Sequence, residues 1–353
     1  MARARPIDGF DPTAPLDEAL RVVVRARFAE VLEQWRPAHV EEDPEALHDL
    51  RVAVRRVRSV LWAFRGENAG RRWRGAERAL GRVFSGTNAL RDADVLAERV
   101  GRLAAAAPAE AAEGVAHAVA RIDKARRRAR VELRDALGPR RRAAAEKRVA
   151  ALCEATEIVE APAGAPPAAF GRWAPSRLTA VLGDAGALGE EVAVEPASTE
   201  KLHALRIRLK RIRYVAEVFE PDGPGPLAEA IDRLRAVQDA LGEVRDLDVQ
   251  MRFLLRVLRR AETGWLREAF RQAGARPDPA VLLDEVLREG EPPERDGLLW
   301  LLEQMAAARE AARQTAVAQL GGALAGARAA LDGALGAFGG LDAAAPTSEP
   351  PVT

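Results

Sequence analysis

The segment Leu47–Phe64, LHDLRVAVRRVRSVLWAF, decides the fold, because the chain repeats it 155 positions further on as Leu202–Phe219, LHALRIRLKRIRYVAEVF. An α-helix advances by about 100° per residue, so each copy has one apolar face and one cationic face. The apolar faces consist of Leu47, Leu50, Val54, Val57, Leu61 and Phe64, and of Leu202, Leu205, Leu209, Ile212 and Phe219. Each copy therefore predicts an amphipathic helix that buries its apolar stripe in a core.

The opposite faces carry cations at matching positions. They consist of His48, Arg51, Arg55 and Arg58 in the first copy, and of His203, Arg206, Lys210 and Arg213 in the second. A solvated face normally mixes acids with bases, whereas like charges three or four positions apart repel by roughly a few tenths of a kcal/mol. Because both copies repeat this unfavourable pattern, we predict that these eight side chains bind an anion. Arg56 and Arg211 lie further round the helices and are predicted to line the rim as secondary binding residues.

A second motif also recurs, as LRDADV at Leu90–Val95 and VRDLDV at Val244–Val249. Each copy has an arginine and an aspartate three positions apart on one helix face, namely Arg91 with Asp94 and Arg245 with Asp248. The carboxylates either orient the binding arginines or tie helices together. In both cases we expect these four residues to stand behind the site, because a carboxylate that faces an anion weakens its binding.

A third basic stripe contains His117, Arg121, Lys124 and Arg128, at intervals of four, three and four. This spacing places the four side chains on one helix face. The three cations are therefore predicted as secondary binding residues, and a face that is merely solvated is the alternative.

These four segments, in this order and spacing, resemble the conserved histidine α-helical domain (CHAD) family. The resemblance rests on His48-x-x-Arg51-x-x-x-Arg55-Arg56-x-Arg58, on the same pattern from His203 to Arg213, and on the two RDxD motifs. It implies an all-α fold of two pseudo-symmetric antiparallel helical bundles around a basic central cavity. It also implies binding of inorganic polyphosphate in that cavity, association with polyphosphate granules, and partners among granule proteins.

The chain organisation follows from the repeat. We predict a single domain over residues 14–341, with repeat one at 14–157, repeat two at 168–341, and flexible tails at 1–13 and 342–353. An uninterrupted helix is expected over Leu227–Glu262, followed by two short helices within Trp265–Glu291. The Gly321-Gly322 pair is expected to break the last major helix.

Composition and cysteine usage narrow the class of protein. Only 5% of the 353 residues are aromatic, and no segment shows the alternation of a strand, which favours a helical protein. The single Cys153 excludes an intramolecular disulfide and fits a reducing compartment. No signal sequence and no apolar run of membrane-spanning length is present. We therefore expect a cytoplasmic protein with no membrane association.

Other functions are weaker predictions. The chain has no ExExK, Walker, GxSxG or HExxH motif, so we expect no enzyme and no cofactor. A phosphorelay carrier with His48 as phosphoacceptor is one alternative, and a nucleic-acid-binding helical protein is another. Nucleic acid is an unfavoured partner because the cationic faces lack aromatic residues for base stacking. The four histidines are not paired at metal-ligand spacing, so no metal site is predicted.

Overall fold

The chain forms an all-α structure. The computed structural model describes residues 5–11, 13–41, 43–64, 70–155, 182–183, 185–192, 199–219, 228–274 and 290–339, and these contain no β-strand. The principal helices are α1 (Leu16–Arg36), α2 (Pro44–Ala63), α3 (Arg71–Gly86), α4 (Asn88–Ala104), α5 (Ala112–Ala136), α6 (Pro139–Cys153), α7 (Thr199–Phe219), α8 (Ala228–Gly274) and α9 (Arg295–Gly339). The predicted fold class is therefore confirmed.

The two repeated segments form α2 and α7, and their apolar stripes are buried. Leu50, Val57 and Leu61 are fully inaccessible in α2, as are Leu205 and Leu209 in α7. Helix α2 begins after Asp43, whose carboxylate caps it by accepting a hydrogen bond from the Glu45 backbone amide at 2.9 Å. The side chain of Phe219, at the end of the second stripe, lies outside the described residues.

The last two helices are longer than the sequence predicts. Helix α8 has 47 residues and runs through Trp265 to Gly274, where a new short helix was expected. Helix α9 has 45 residues, or about 68 Å, and passes through Gly321-Gly322 without a break. Each glycine costs a helix only about 1 kcal/mol, and the buried Leu320 and Ala323 on either side hold the chain in place.

The chain divides into two compact units that do not coincide with the two repeats. The first unit comprises Met1–Thr87, Arg134–Gly242 and Gln314–Thr353, and the second comprises Asn88–Leu133 and Glu243–Arg313. The boundary after Thr87 and the boundary after Gly242 are 155 positions apart, which is the offset of the repeat. Each unit therefore takes corresponding segments from both repeats.

In the first unit, α2 packs against α1, α3 and α7, and α6 packs against α3 and α1. Trp35 is 2% exposed, and its indole Nε1 donates to the Leu137 carbonyl at 2.7 Å. Residues 5–11 differ from the predicted flexible tail, because Ile7 is buried and Arg27 donates to the Arg5 carbonyl at 2.9 Å. The second predicted tail, 342–353, and the start of repeat two at 168–181 lie outside the described residues.

The second unit has a core contributed by α4, α5, α8 and α9, with members such as Val100, Leu254 and Leu301. Helices α5 and α9 approach so closely that both need glycine. A Cβ on Gly114 would lie 2.6 Å from the Gly297 Cα, and a Cβ on Gly297 would lie 2.7 Å from the Gly114 Cα. Within the described part of the chain, no helix is long and apolar enough to span a membrane.

Candidate anion-binding site

The first motif helix holds its arginines against the break between α3 and α4. The Thr87 hydroxyl donates to the Phe84 carbonyl at 2.8 Å, which closes the last turn of α3. The same hydroxyl accepts a hydrogen bond from the Arg51 guanidinium at 2.8 Å. The chain thus breaks at Thr87 between α3 and α4, and this break fixes Arg51.

Three motif arginines gather over one ring. The guanidinium carbons of Arg51, Arg55 and Arg58 lie 4.7, 5.9 and 5.3 Å from the centre of Phe84. Each contact is a cation–π interaction of about 0.5–1 kcal/mol in an accessible setting. Phe84 therefore brings three of the predicted binding residues together, although their charges repel.

The second motif helix repeats part of this arrangement. Arg206 stands 155 positions after Arg51, and its Nε lies 3.8 Å from where a Cβ on Gly242 would be. Gly242 shortly precedes the second RDxD motif, as Thr87 precedes the first. His48 and His203 are both half-buried in the second turns of α2 and α7, and Lys210 is half-buried as well. The two helices thus place their histidines alike, whereas Arg213 is buried and its counterpart Arg58 is exposed.

Two predicted binding residues belong to a buried ionic network instead. Arg56 is 7% exposed, and its guanidinium lies 3.1 Å from Glu217 and 3.6 Å from Glu30. Arg213 is 2% exposed and lies 3.6 Å from the other oxygen of Glu217. Burial against Glu217 disfavours a rim position for Arg56 and a place on the ligand face for Arg213, and the role of both in binding stays a prediction.

Arg211 differs from Arg56, its counterpart in the first repeat. Its guanidinium lies 4.0 Å above the ring of Trp62. Trp62 is the counterpart of Glu217, so position 56 contacts position 217 while position 211 contacts position 62. These reciprocal contacts are what two equivalent helices make across a twofold axis. The chemistry is unequal, since one contact is an ion pair and the other is a cation–π pair.

Four arginines of α2 and α7 carry charge that is not neutralised locally. These four residues are Arg55, Arg58, Arg208 and Arg211. None of the four forms an ion pair within 4 Å with any described carboxylate. Desolvation, followed by the charges of Arg208 and Arg58, lowers the pKa of Arg211. Desolvation likewise lowers the pKa of Arg58, against a smaller opposing effect of Glu77. An anion that reached this cluster would relieve both penalties.

Some members of this site carry no recognisable sequence signal. Trp62 and Glu217 lie within the repeated segments and Phe84 lies in α3, but only the tertiary structure shows which arginine each one contacts. Arg208, which the helical wheel assigns to the apolar side, is half-buried and close enough to act on Arg211. The segment Ser85–Asn88, with its serine, glycine, threonine and asparagine, is a visible sequence signal for the break between α3 and α4 that contacts Arg51.

The third basic stripe lies on α5 in the second unit and is largely solvated. Arg121, Lys124 and Arg128 are all exposed. Arg121 donates to Nε2 of His117 at 3.2 Å, and Nδ1 of His117 lies 3.2 Å from a Glu294 oxygen. Arg128 pairs with Glu132 at 3.0 Å. These contacts favour the alternative that the stripe is a solvated face, and its role in binding stays a prediction.

The motif aspartates bridge to other helices. Asp94 on α4 accepts a hydrogen bond from Arg126 on α5 at 2.8 Å, and Asp248 on α8 accepts one from Arg309 on α9 at 2.6 Å. Neither aspartate forms an ion pair with the arginine three positions before it, Arg91 or Arg245, in the described part of the chain. The observed contacts tie helices together.

The fold and the site together define an all-helical protein with a repeated basic helix and a cluster of arginines that form no ion pair with a described carboxylate. The family described as the CHAD domain matches residues 23–255, about two thirds of the chain, and the protein belongs to that family. No curated protein matches the chain.

Two solved structures share the fold. The CHAD domain of the plant Ricinus communis is 21% identical with a TM-score of 0.59, and the alignment covers 89% of this chain and 96% of that one. PptA from Streptomyces chartreusis is 22% identical with a TM-score of 0.58, and the alignment covers 86% of this chain and 98% of that one.

Proposed function

We propose that this protein binds inorganic polyphosphate, without hydrolysing it, through the cations of α2 and α7. The observation that carries the proposal is the set of four arginines without a described carboxylate partner, two of which have a lowered pKa. Arginine presents a planar fork of donors that matches phosphate oxygens. A polyanion would supply the missing negative charge.

A linear polymer suits the site better than a single phosphate. The motif cations from His48 to Arg58 extend over about 15 Å of helix, and those from His203 to Lys210 over about 10 Å. One orthophosphate can reach only two or three of these side chains, whereas a chain of phosphates can contact both helices. The resemblance to the CHAD family implies the same ligand, and we extend the proposal to association with polyphosphate granules.

Nucleic acid is a less favoured polyanion. Sequence-tolerant binding of single strands needs aromatic faces on which bases can stack. Aromatic rings near the cations of α2 and α7 include Phe84 and Trp62, and arginines already lie over both. A base would have to displace a guanidinium to stack there.

The test is a titration with long-chain polyphosphate at several salt concentrations. The informative variant is Arg58→Gln/Arg211→Gln. Its matched control is Arg102→Gln/Arg271→Gln, which removes the same two charges from exposed positions with side-chain exposures of 69% and 70%. We expect tight, salt-sensitive binding by the wild type and the control. The site variant should lose about tenfold in affinity or more, and its log–log salt slope should fall by about 1 to 2.

Three results would contradict the proposal. Equal affinity of the site variant and the control would mean that net charge, rather than this site, attracts the polymer. Single-stranded DNA that competes as well as polyphosphate at equal charge would favour nucleic acid. Orthophosphate released from the polymer by the wild type, but not by the site variant, would indicate an enzyme.

A further inference from the structure

The second unit contains a cavity of about 330 Å³ that is separate from the motif cations. It lies among α4, α5 and α8, where three alanines, Ala93, Ala125 and Ala129, leave space between the helices. Ligand sites for small molecules start at about 300 Å³ and are mainly apolar. The other walls include Leu96, Ile122 and Phe253, so the cavity has the size and lining of a small-molecule site.

One buried polar group of the lining is unmatched within the described part of the chain. Gln250 is 3% exposed, and its Oε1 accepts no hydrogen bond from any described residue. Burying an amide oxygen without a hydrogen bond is costly, and native proteins rarely leave such groups unmatched. The walls are mainly apolar, with charged side chains such as Asp92 and Arg256 among them, and the buried amide of Gln250 is the group whose missing hydrogen bond a ligand can supply.

The opening of the cavity is charged and accessible. Arg128 and Glu132 form an ion pair there, with side-chain exposures of 84% and 51%. Arg256 is also exposed, with its guanidinium 5.9 Å from the ring of Phe253. These long side chains at the entrance can move without repacking the core, so a small molecule has a route to Gln250.

We propose that this cavity binds a small apolar molecule that carries a hydroxyl group. The apolar walls take the hydrocarbon part, and the hydroxyl completes the hydrogen bonding of Gln250. A hydroxyl both donates and accepts, so it satisfies the amide in either of its two orientations, which exchange oxygen and nitrogen. This site is independent of the polyphosphate proposal, because none of its residues belongs to the motif helices.

The probes for the test are 4-fluorophenol and 4-fluorotoluene, which differ by a hydroxyl against a methyl group of similar size. Their affinities for the full chain can be measured by ¹⁹F NMR titration. In the wild type we expect 4-fluorophenol to bind about five- to tenfold more tightly, as one buried hydrogen bond implies. In Gln250→Leu this preference should be lost or reversed, because the buried hydroxyl then has no hydrogen-bond partner.

A matched control is available on the same helix. Gln238 is 1% exposed, and neither of its amide atoms has a hydrogen-bond partner among the described residues, but it does not line the cavity. Gln238→Leu should therefore leave the preference for 4-fluorophenol unchanged. Ala125→Leu, which fills part of the cavity, should weaken both probes by about fivefold or more.

Three outcomes would overturn the inference. If neither probe binds the folded wild type, the cavity holds only water. If the preference for the phenol persists in Gln250→Leu, another group makes the hydrogen bond. If Ala125→Leu leaves both affinities unchanged, the probes bind elsewhere. Helical circular dichroism of each variant establishes that it is folded.

Discussion

Glu217 is the residue whose removal should most clearly expose the ionic network between the motif helices. Its carboxylate serves two buried guanidiniums at once, Arg56 at 3.1 Å and Arg213 at 3.6 Å. The side-chain exposures are 11% for Glu217, 9% for Arg56 and 2% for Arg213. We therefore predict that Glu217→Gln destabilises the protein strongly, because it leaves positive charge buried without its counter-ion.

The expected size follows from what the variant retains. Removing one partner of a buried ion pair costs about 3–5 kcal/mol. Arg56 keeps Glu30 at 3.6 Å, and the new amide oxygen can still accept one hydrogen bond. These contacts place the loss near the lower end, at about 3 kcal/mol in the free energy of unfolding.

The measurement is urea unfolding followed by circular dichroism at neutral pH. Glu132→Gln is the matched control, because Glu132 also pairs with an arginine four positions away, yet the pair is exposed. That control should lose no more than about 0.5 kcal/mol. Arg213→Met/Glu217→Leu removes charge from both sides and should be less destabilised than Glu217→Gln alone. A loss below about 1 kcal/mol in Glu217→Gln, or a less stable double variant, would refute this account of the network.

Three further predictions concern packing, the motif aspartates and the cysteine. Gly114→Ala and Gly297→Ala should each lower the free energy of unfolding by about 1–3 kcal/mol, because the new methyl overlaps backbone atoms. Gly101→Ala, with open space around it, should instead raise the free energy of unfolding by about 0.5–1 kcal/mol. Equal melting temperatures of the three variants would contradict this. Asp94→Asn and Asp248→Asn should each lower the free energy of unfolding by about 1–3 kcal/mol. At a temperature where both variants are folded, their affinity for polyphosphate should differ from that of the wild type by less than twofold. A tenfold loss of affinity would instead make the aspartates part of the site. Burial raises the pKa of the Cys153 thiol. The contribution of the protonated thiol to the free energy of unfolding is therefore complete below about pH 8.5 and declines as pH rises. Iodoacetamide should label Cys153 slowly until urea unfolds the chain, and rapid labelling of the native protein would show that the thiol is accessible.

Most of the fold could be predicted from the helical periodicity of apolar residues within single segments. The apolar stripes of α2 and α7 and the Asp43 cap are properties of single segments, so the sequence is sufficient to locate them. The uninterrupted α9 could not be predicted this way. The glycine pair at 321–322 is a local helix-breaking signal, but burial of Leu320 and Ala323 offsets its cost.

For the candidate site, the sequence predicted which helix faces are cationic but not which residues their side chains contact. Arg56 and Arg58 are two positions apart, yet Arg56 is buried against Glu217 whereas Arg58 is exposed over Phe84. The wheel gives the direction of each side chain, but not which residue of another helix receives it. A carboxylate 161 positions away decides the role of Arg56, and no spacing rule within α2 contains that information.

The unequal reciprocal contacts at positions 56 and 217 and at positions 211 and 62 have an evolutionary consequence. A protein assembled from two identical first repeats would put tryptophan at both receiving positions, so that neither arginine would face the carboxylate now supplied by Glu217. One assembled from two second repeats would have a glutamate at both receiving positions and a tryptophan at neither. Exchanging either half for a copy of the other would therefore remove the difference between the ion pair and the cation–π pair.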